Sequence, residues 1–225
     1  MKWIPENIPV IVNGELPTAS LISLDLEYDE NASEIVCVGM FDGTSYYHFS
    51  SVSEPLLRYL REVRWIGQDI THAELPMLNK LYGGFSTDRI YADVKILAYV
   101  YDSTLRDWGL KNLAKKYLSV EWPKYSELKK EHKFKNIKEL PPEVLQDYNG
   151  SDCVFTWRLW EFYKKNFNQI QWWFYNNLEL PTTRLLYEVE SGGILVDTVQ
   201  AVELHREYLK KANKAKKEFK RLAGL

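Results

Sequence analysis

Three stretches of strand character crowd into residues 20–49, and their spacing is what most constrains the fold of this chain. Residues 20–28 alternate polar and apolar side chains, residues 35–41 are a short apolar run, and residues 45–49 are aromatic. Only Asp29-Glu30-Asn31 and Asp42-Gly43 carry the turns between them. Connections so short join antiparallel neighbours, because a parallel return needs a crossover of a dozen or more residues. The sheet therefore begins as a meander.

Beyond residue 54 the pattern alternates. Leu56, Leu57, Leu60 and Val63 keep helical spacing, residues 64–68 read as a strand, Leu75, Leu78 and Leu81 as a helix, and residues 90–94 as another strand. Helical segments follow at 96–101 and 110–118, where Leu110, Leu113, Ala114 and Tyr117 form one apolar face. These elements predict an α/β fold with a mixed five-stranded sheet, its first three strands antiparallel, flanked by helices on both faces and followed by a helical extension. No GxGxxG or GxxxxGK[ST] follows any strand, so a glycine-rich phosphate loop has no support.

The lysine-rich residues 124–138 are weakly patterned and read as a surface excursion, closed by Pro141-Pro142 at the start of a long helix from about Glu143. After Trp172-Trp173-Phe174 the character changes. An apolar helix pattern covers 178–190, Ser191-Gly192-Gly193 breaks it, residues 194–197 are extended, and a charged helix runs to Gly224-Leu225. The 225 residues suit one domain plus an attached fragment: a first domain over 1–172 and a helical segment over 173–225 that reads as part of something longer.

No apolar run approaches the ~20 residues that span a bilayer, and the start lacks a signal-peptide pattern. Cys37 and Cys153 lie within apolar patterns far apart in sequence, which favours reduced core thiols. The four histidines show no zinc-ligand spacing. A net charge of −2 excludes a uniformly basic nucleic-acid coat protein but leaves a local basic surface open.

Asp25 and Glu27 sit two apart on the first of the three strands, which puts both carboxylates on one face, where they can share a divalent cation. Taken alone, a solvated strand face explains them as well, although acids on a central strand are costly. Tyr148 and Asp152 are one helical turn apart, on a helix that accepts Gly150 at a cost of ~1 kcal/mol in propensity. Glu74 falls in the first turn of the helix after Gly67-Gln68-Asp69, where the helix dipole favours an acid.

In order and spacing, these acids resemble the DEDD exonucleases. The chain resembles the 3′-to-5′ proofreading exonuclease domain of family A DNA polymerases, the DNA polymerase I type, and looks closest to its phage branch. The resemblance covers residues 18–165 and rests on Ser23-Leu24-Asp25-Leu26-Glu27, Ala92-Asp93-Val94-Lys95, Leu110-Lys111-Asn112-Leu113-Ala114 and Asp147-Tyr148-Asn149-Gly150-Ser151-Asp152. Residues 178–197 resemble the segment that opens the polymerase part of such enzymes, which standalone RNase D-like nucleases lack. The resemblance implies a ribonuclease H-like fold, and two divalent ions, Mg2+ or Mn2+, ~4 Å apart held by Asp25, Glu27, Glu74 and Asp152. It also implies that Tyr148 orients the attacking water, and that Gln68, Asp69 and Arg106 lie near a single-stranded DNA 3′ end. A monomer attached to a polymerase domain, in a bacterial or phage-infected cytoplasm or an organellar nucleoid, completes what it implies.

The match departs from the family at two positions. The family has Asn where Asp69 stands, and Asp at the second-motif acid; one spacing puts that acid at Ala73, the phage-like spacing at Glu74. The extra methylene of Glu moves the carboxylate by ~1.5 Å, which matters for an ion wanting ligands at ~2.0–2.1 Å. A weakened or inactive DNA-binding module is the alternative reading, and a standalone RNA-trimming enzyme a third. Residues 206–221 carry eight basic side chains against two acidic ones, so the near-neutral total conceals a basic terminal helix and an acidic remainder.

Overall fold

A computed structural model describes residues 2–29 and 34–224. Glu30 and Asn31 of the first expected turn, and the terminal Leu225, lie outside the described residues. The strands are β1 (Val10–Val12), β2 (Leu21–Asp29), β3 (Glu34–Phe41), β4 (Tyr46–Phe49), β5 (Arg64–Gly67) and β6 (Ile90–Asp93). They form one sheet in the order β1-β4-β3-β2-β5-β6. β2 pairs antiparallel with β3, and β3 with β4, whereas β5 runs parallel to both β2 and β6. The meander and the later parallel additions follow the sequence reading. The sheet has a sixth strand, because the three residues of β1 pair in parallel with β4 and form the edge beyond it.

The helices are α1 (Glu54–Glu62), α2 (Glu74–Leu81), α3 (Val94–Tyr101), α4 (Leu110–Leu118), α5 (Tyr125–His132), α6 (Pro142–Asn166), α7 (Gln169–Phe174), α8 (Leu180–Gly192) and α9 (Thr198–Leu222). α6 packs across β2, β3, β4 and β5, and two glycines permit its approach. A Cβ at Gly39 would sit 1.9 Å from Asn149 Oδ1, and one at Gly150 would sit 2.3 Å from Ile4 and 2.7 Å from Tyr46. Gly150 weakens the helix locally and in exchange lets it lie against the sheet.

The lysine-rich stretch departs from the expectation of a mere surface excursion. It contains α5 and buries Leu128, Phe134 and Ile137. These buried side chains, with the Asn136 bond to Asp29 and the Lys138 ion pair to Glu34, hold a segment that its lysines make look unstructured.

Two compact units divide the chain, Met1–Glu188 and Val189–Leu225. In the first, residues 173–188 are held by buried Tyr175 and Leu180 and by a 2.9 Å bond from the Asn79 amide to the Tyr187 hydroxyl. The second contains α9, N-capped by Asp197, whose side chain accepts from the Gln200 N–H at 2.9 Å. Both cysteines are buried free thiols. Among the described residues no helix is long and apolar enough to cross a membrane.

Candidate active site

β2 carries Asp25 opposite Gly39 and Glu27 opposite Cys37, and the pairing with β3 shifts register just after Glu27. Irregularities of this kind re-aim side chains at sheet positions next to sites. α6, seated against Gly39, brings Asp152 to the same place. Asp25, Glu27 and Asp152 each offer an oxygen within 4.8 Å of the others. Two residues from a strand and one from a helix, 125 to 127 positions later, thus form a single acidic cluster.

The remaining expected residues divide into two groups. Gln68, Glu74 and Tyr148 line the same cleft as the three acids, a cavity of about 600 Å3. Glu74 opens α2 at the rim of the sheet and is buried, although its carboxylate lies outside the tight group of three. Asp69 and Arg106 do not line the cleft. The Asp69 carboxylate faces Lys95 at 2.5 Å and His72 at 2.7 Å, and Arg106 is exposed on the loop before α4.

Several supporting residues escaped the sequence reading. The Lys111 ammonium, from α4, donates to both carboxylate oxygens of Asp152 and to the Tyr148 hydroxyl at 3.3 Å. The Trp122 indole N–H donates to the same Asp152 at 2.6 Å. The Asn149 amide donates to Asp25 Oδ2 at 2.7 Å, and its oxygen accepts from the Tyr46 hydroxyl at 2.7 Å. Asp93 caps α3 and accepts the backbone N–H groups of Asp69 and Ile70 at 3.1 and 2.9 Å. It thereby holds the turn that precedes Glu74, in which Asp69 adopts a left-handed backbone with φ 61°. An Asp directly before an apolar helix was a cap signal already readable in the sequence.

Burial pushes the Asp25 carboxyl well above the usual carboxylate range, and the nearby Asp152 charge pushes it the same way. Glu27 is raised by burial and then by Asp25, and Glu74 by burial and then by Asp25. Burial beside Asp152 also raises the Tyr148 phenol, which keeps it a neutral hydrogen-bond donor. Clustered, desolvated acids with raised pKa values lack positive charge; among the described residues Lys111 is the cation that pairs with a member of the cluster, Asp152.

The donor set suits a hard divalent cation, which takes carboxylate oxygens. Glu74 supports that fit with a buried carboxylate oxygen, Oε2, that has no hydrogen-bond partner. Such an atom is costly unless something positive meets it.

No family model matches the sequence. DNA polymerase I of Caldicellulosiruptor bescii is 27% identical over 132 residues, which is 59% of this chain and 13% of that protein. Among solved structures, Brucella melitensis NrnC superposes with a TM-score of 0.65 at 15% identity, covering 84% of this chain and 95% of NrnC. A further NrnC structure, with bound Mg2+, gives 0.58 at 16% identity over 85% and 98% of the two chains. The polymerase Pol1 of M. smegmatis, in complex with primer-template DNA and dNTP, gives 0.59 at 16% identity over 86% and 32%. Escherichia coli RNase D, an exoribonuclease involved in structured RNA processing, gives 0.55 at 16% identity over 75% and 45%.

The fold, an α/β sheet with a helical extension, is the one shared with NrnC and with the exoribonuclease RNase D. In sequence the chain is similar to a DNA polymerase I, and it spans about an eighth of the length of that polymerase.

Proposed function

We propose that the chain is a 3′-to-5′ exodeoxyribonuclease that proofreads for a DNA polymerase domain in the same longer protein. The observation that carries this is the convergence of Asp25, Glu27 and Asp152 on one cleft that Glu74 and Tyr148 also line. In this reading residues 1–172 are the exonuclease domain and residues 173–225 a helical connector into the polymerase. Site, substrate and residue sets of this kind suit phosphodiester hydrolysis. Two divalent cations, Mg2+ or Mn2+, held by the four acids would supply charge neutralisation and an acidified water there.

The chain's own residues provide the rest. The neutral Tyr148 hydroxyl, one turn from Asp152, orients the water for in-line attack on phosphorus. Lys111, from the neighbouring helix α4, fixes both of these side chains. The bond from phosphorus to the 3′ oxygen breaks, that oxygen leaves with a proton, and a nucleoside 5′-monophosphate is released. Gln68 lines the cleft with its amide nitrogen donating to the Trp108 carbonyl at 2.8 Å, which fixes the side chain beside the acids.

A second reading, a weakened or inactive exonuclease-fold DNA-binding module, takes its support from Glu74, whose carboxylate stands outside the tight cluster. One experiment separates the two. Single-stranded DNA labelled at its 3′ or 5′ end is incubated with the chain and Mg2+ or Mn2+, beside the D25A variant. Shortening from the 3′ end that D25A abolishes supports the enzyme; no shortening with the parent supports the inactive module. Shortening that persists in D25A would overturn the site. RNA of the same sequence, degraded faster than DNA, would favour an RNA-trimming enzyme.

A further inference from the structure

Segment 124–138 contributes Tyr125, Lys129, Lys135, Asn136 and Ile137 to the lining of the cleft that holds the acids. Six lysines and two glutamates lie in that segment. Of its lysines, Lys129 and Lys135 line the same cavity as Asp25, Glu27 and Asp152. Neither ammonium takes part in an ion pair among the described residues, whereas the neighbouring Lys138 pairs with Glu34 at 3.4 Å.

Their placement is built into the fold. Lys129 follows the fully buried Leu128 in α5, and Lys135 follows the buried Phe134. Between them Lys133 ends α5 in a left-handed conformation, φ 54°. The Asn136 side chain bonds to Asp29 at the end of β2, the strand that carries the acids. The two lysines are thus held at a set position relative to the acidic floor by buried anchors on both sides and by a tie to the same strand.

We propose that Lys129 and Lys135 bind backbone phosphates of the single strand upstream of the nucleotide being removed. The inference rests on the nuclease reading above and names a second subsite for it. A floor of carboxylates repels a polyanion, so a strand held there needs compensating charge beyond the reacting phosphate. Two ammonium groups in the same cleft, neither in an ion pair among the described residues, provide it, one for each of two phosphates. Lysine contacts to phosphate are independent of base identity, which suits an enzyme that must accept any 3′ terminus.

The test compares the parent with the double variant K129A/K135A and the charge-preserving K129R/K135R. Binding of a 5′-fluorescein-labelled ten-nucleotide thymidine strand is followed by anisotropy in Ca2+ over a range of salt. In parallel, Mn2+-dependent hydrolysis of the p-nitrophenyl ester of thymidine 5′-monophosphate, which has no upstream phosphate, is measured. For the double alanine variant the slope of log affinity against log salt should flatten by about 1.4, about 0.7 for each lost phosphate contact. Ester hydrolysis should be unchanged, and the arginine variant should restore the slope.

An unaltered slope in the alanine variant, with ester hydrolysis intact, would overturn the lysine subsite and leave the nuclease reading standing. Absence of ester and DNA hydrolysis in the parent would instead overturn the nuclease reading, and the anisotropy slopes would still decide whether the lysines hold phosphate. A polyglutamate peptide that binds with the same lysine-dependent slope as the oligonucleotide would overturn the assignment to nucleic acid.

Discussion

The Lys111 ammonium spans both carboxylate oxygens of Asp152 and lies 4.4 Å from the centre of the Tyr148 ring. One lysine thus ties the helix α4 to the two residues that α6 contributes to the cleft. Lys111 and Asp152 are both largely buried, so removing the cation leaves an acid among acids.

K111M should therefore destabilise the metal-free protein by about 3 kcal/mol, the cost of breaking a buried pair by deleting one partner. For a chain of this size that lowers the melting temperature by roughly 6–12 °C. Thermal melts in EDTA and in millimolar Mg2+ check it: the deficit should narrow with Mg2+, and an equal deficit in both would contradict a shared cation site.

Glu27 has a raised pKa in the folded state through burial and the Asp25 charge. The folded state then holds its proton to higher pH than the unfolded one, so stability is lost as pH rises from about 4.3 through the raised value. E27Q removes this loss. In EDTA its melting temperature should exceed the parent's at pH 8 and match it near pH 4, by about 2–4 °C for each kcal/mol relieved. A variant less stable than the parent at pH 8 would contradict the sign.

G150A sets two effects against each other. Alanine improves helix propensity by ~1 kcal/mol, but its Cβ meets Ile4 at 2.3 Å and Tyr46 at 2.7 Å. Overpacking costs about 1–3 kcal/mol, and Tyr46 also supports Asn149 and through it Asp25. Net destabilisation in urea, with weaker divalent-cation binding by calorimetry, is the expected outcome.

The pair on β2 was legible because a period of two places Asp25 and Glu27 on one face, and the pair on α6 because a spacing of four does the same for Tyr148 and Asp152. Their meeting was not, since it depends on Gly39 admitting α6 to the sheet. Lys111 was hidden for a related reason: between Leu110 and Leu113 it reads as the solvent face of an amphipathic helix, and only the tertiary fold gives it a carboxylate. Segment 124–138 looked like an excursion because Leu128, Phe134 and Ile137 are spaced irregularly among lysines. The resemblance put Asp69 near the DNA end, yet its carboxylate pairs with Lys95 and His72 and does not line the cleft.

The central claim is that Asp25, Glu27, Glu74 and Asp152 form one dication site. Anomalous diffraction from a crystal soaked in Mn2+ tests it most directly. The account predicts density among Asp25, Glu27 and Asp152, with a second peak toward Glu74, and loss of both in D25A. A cleft that stays free of manganese at saturating concentration, or peaks that survive D25A, would contradict it.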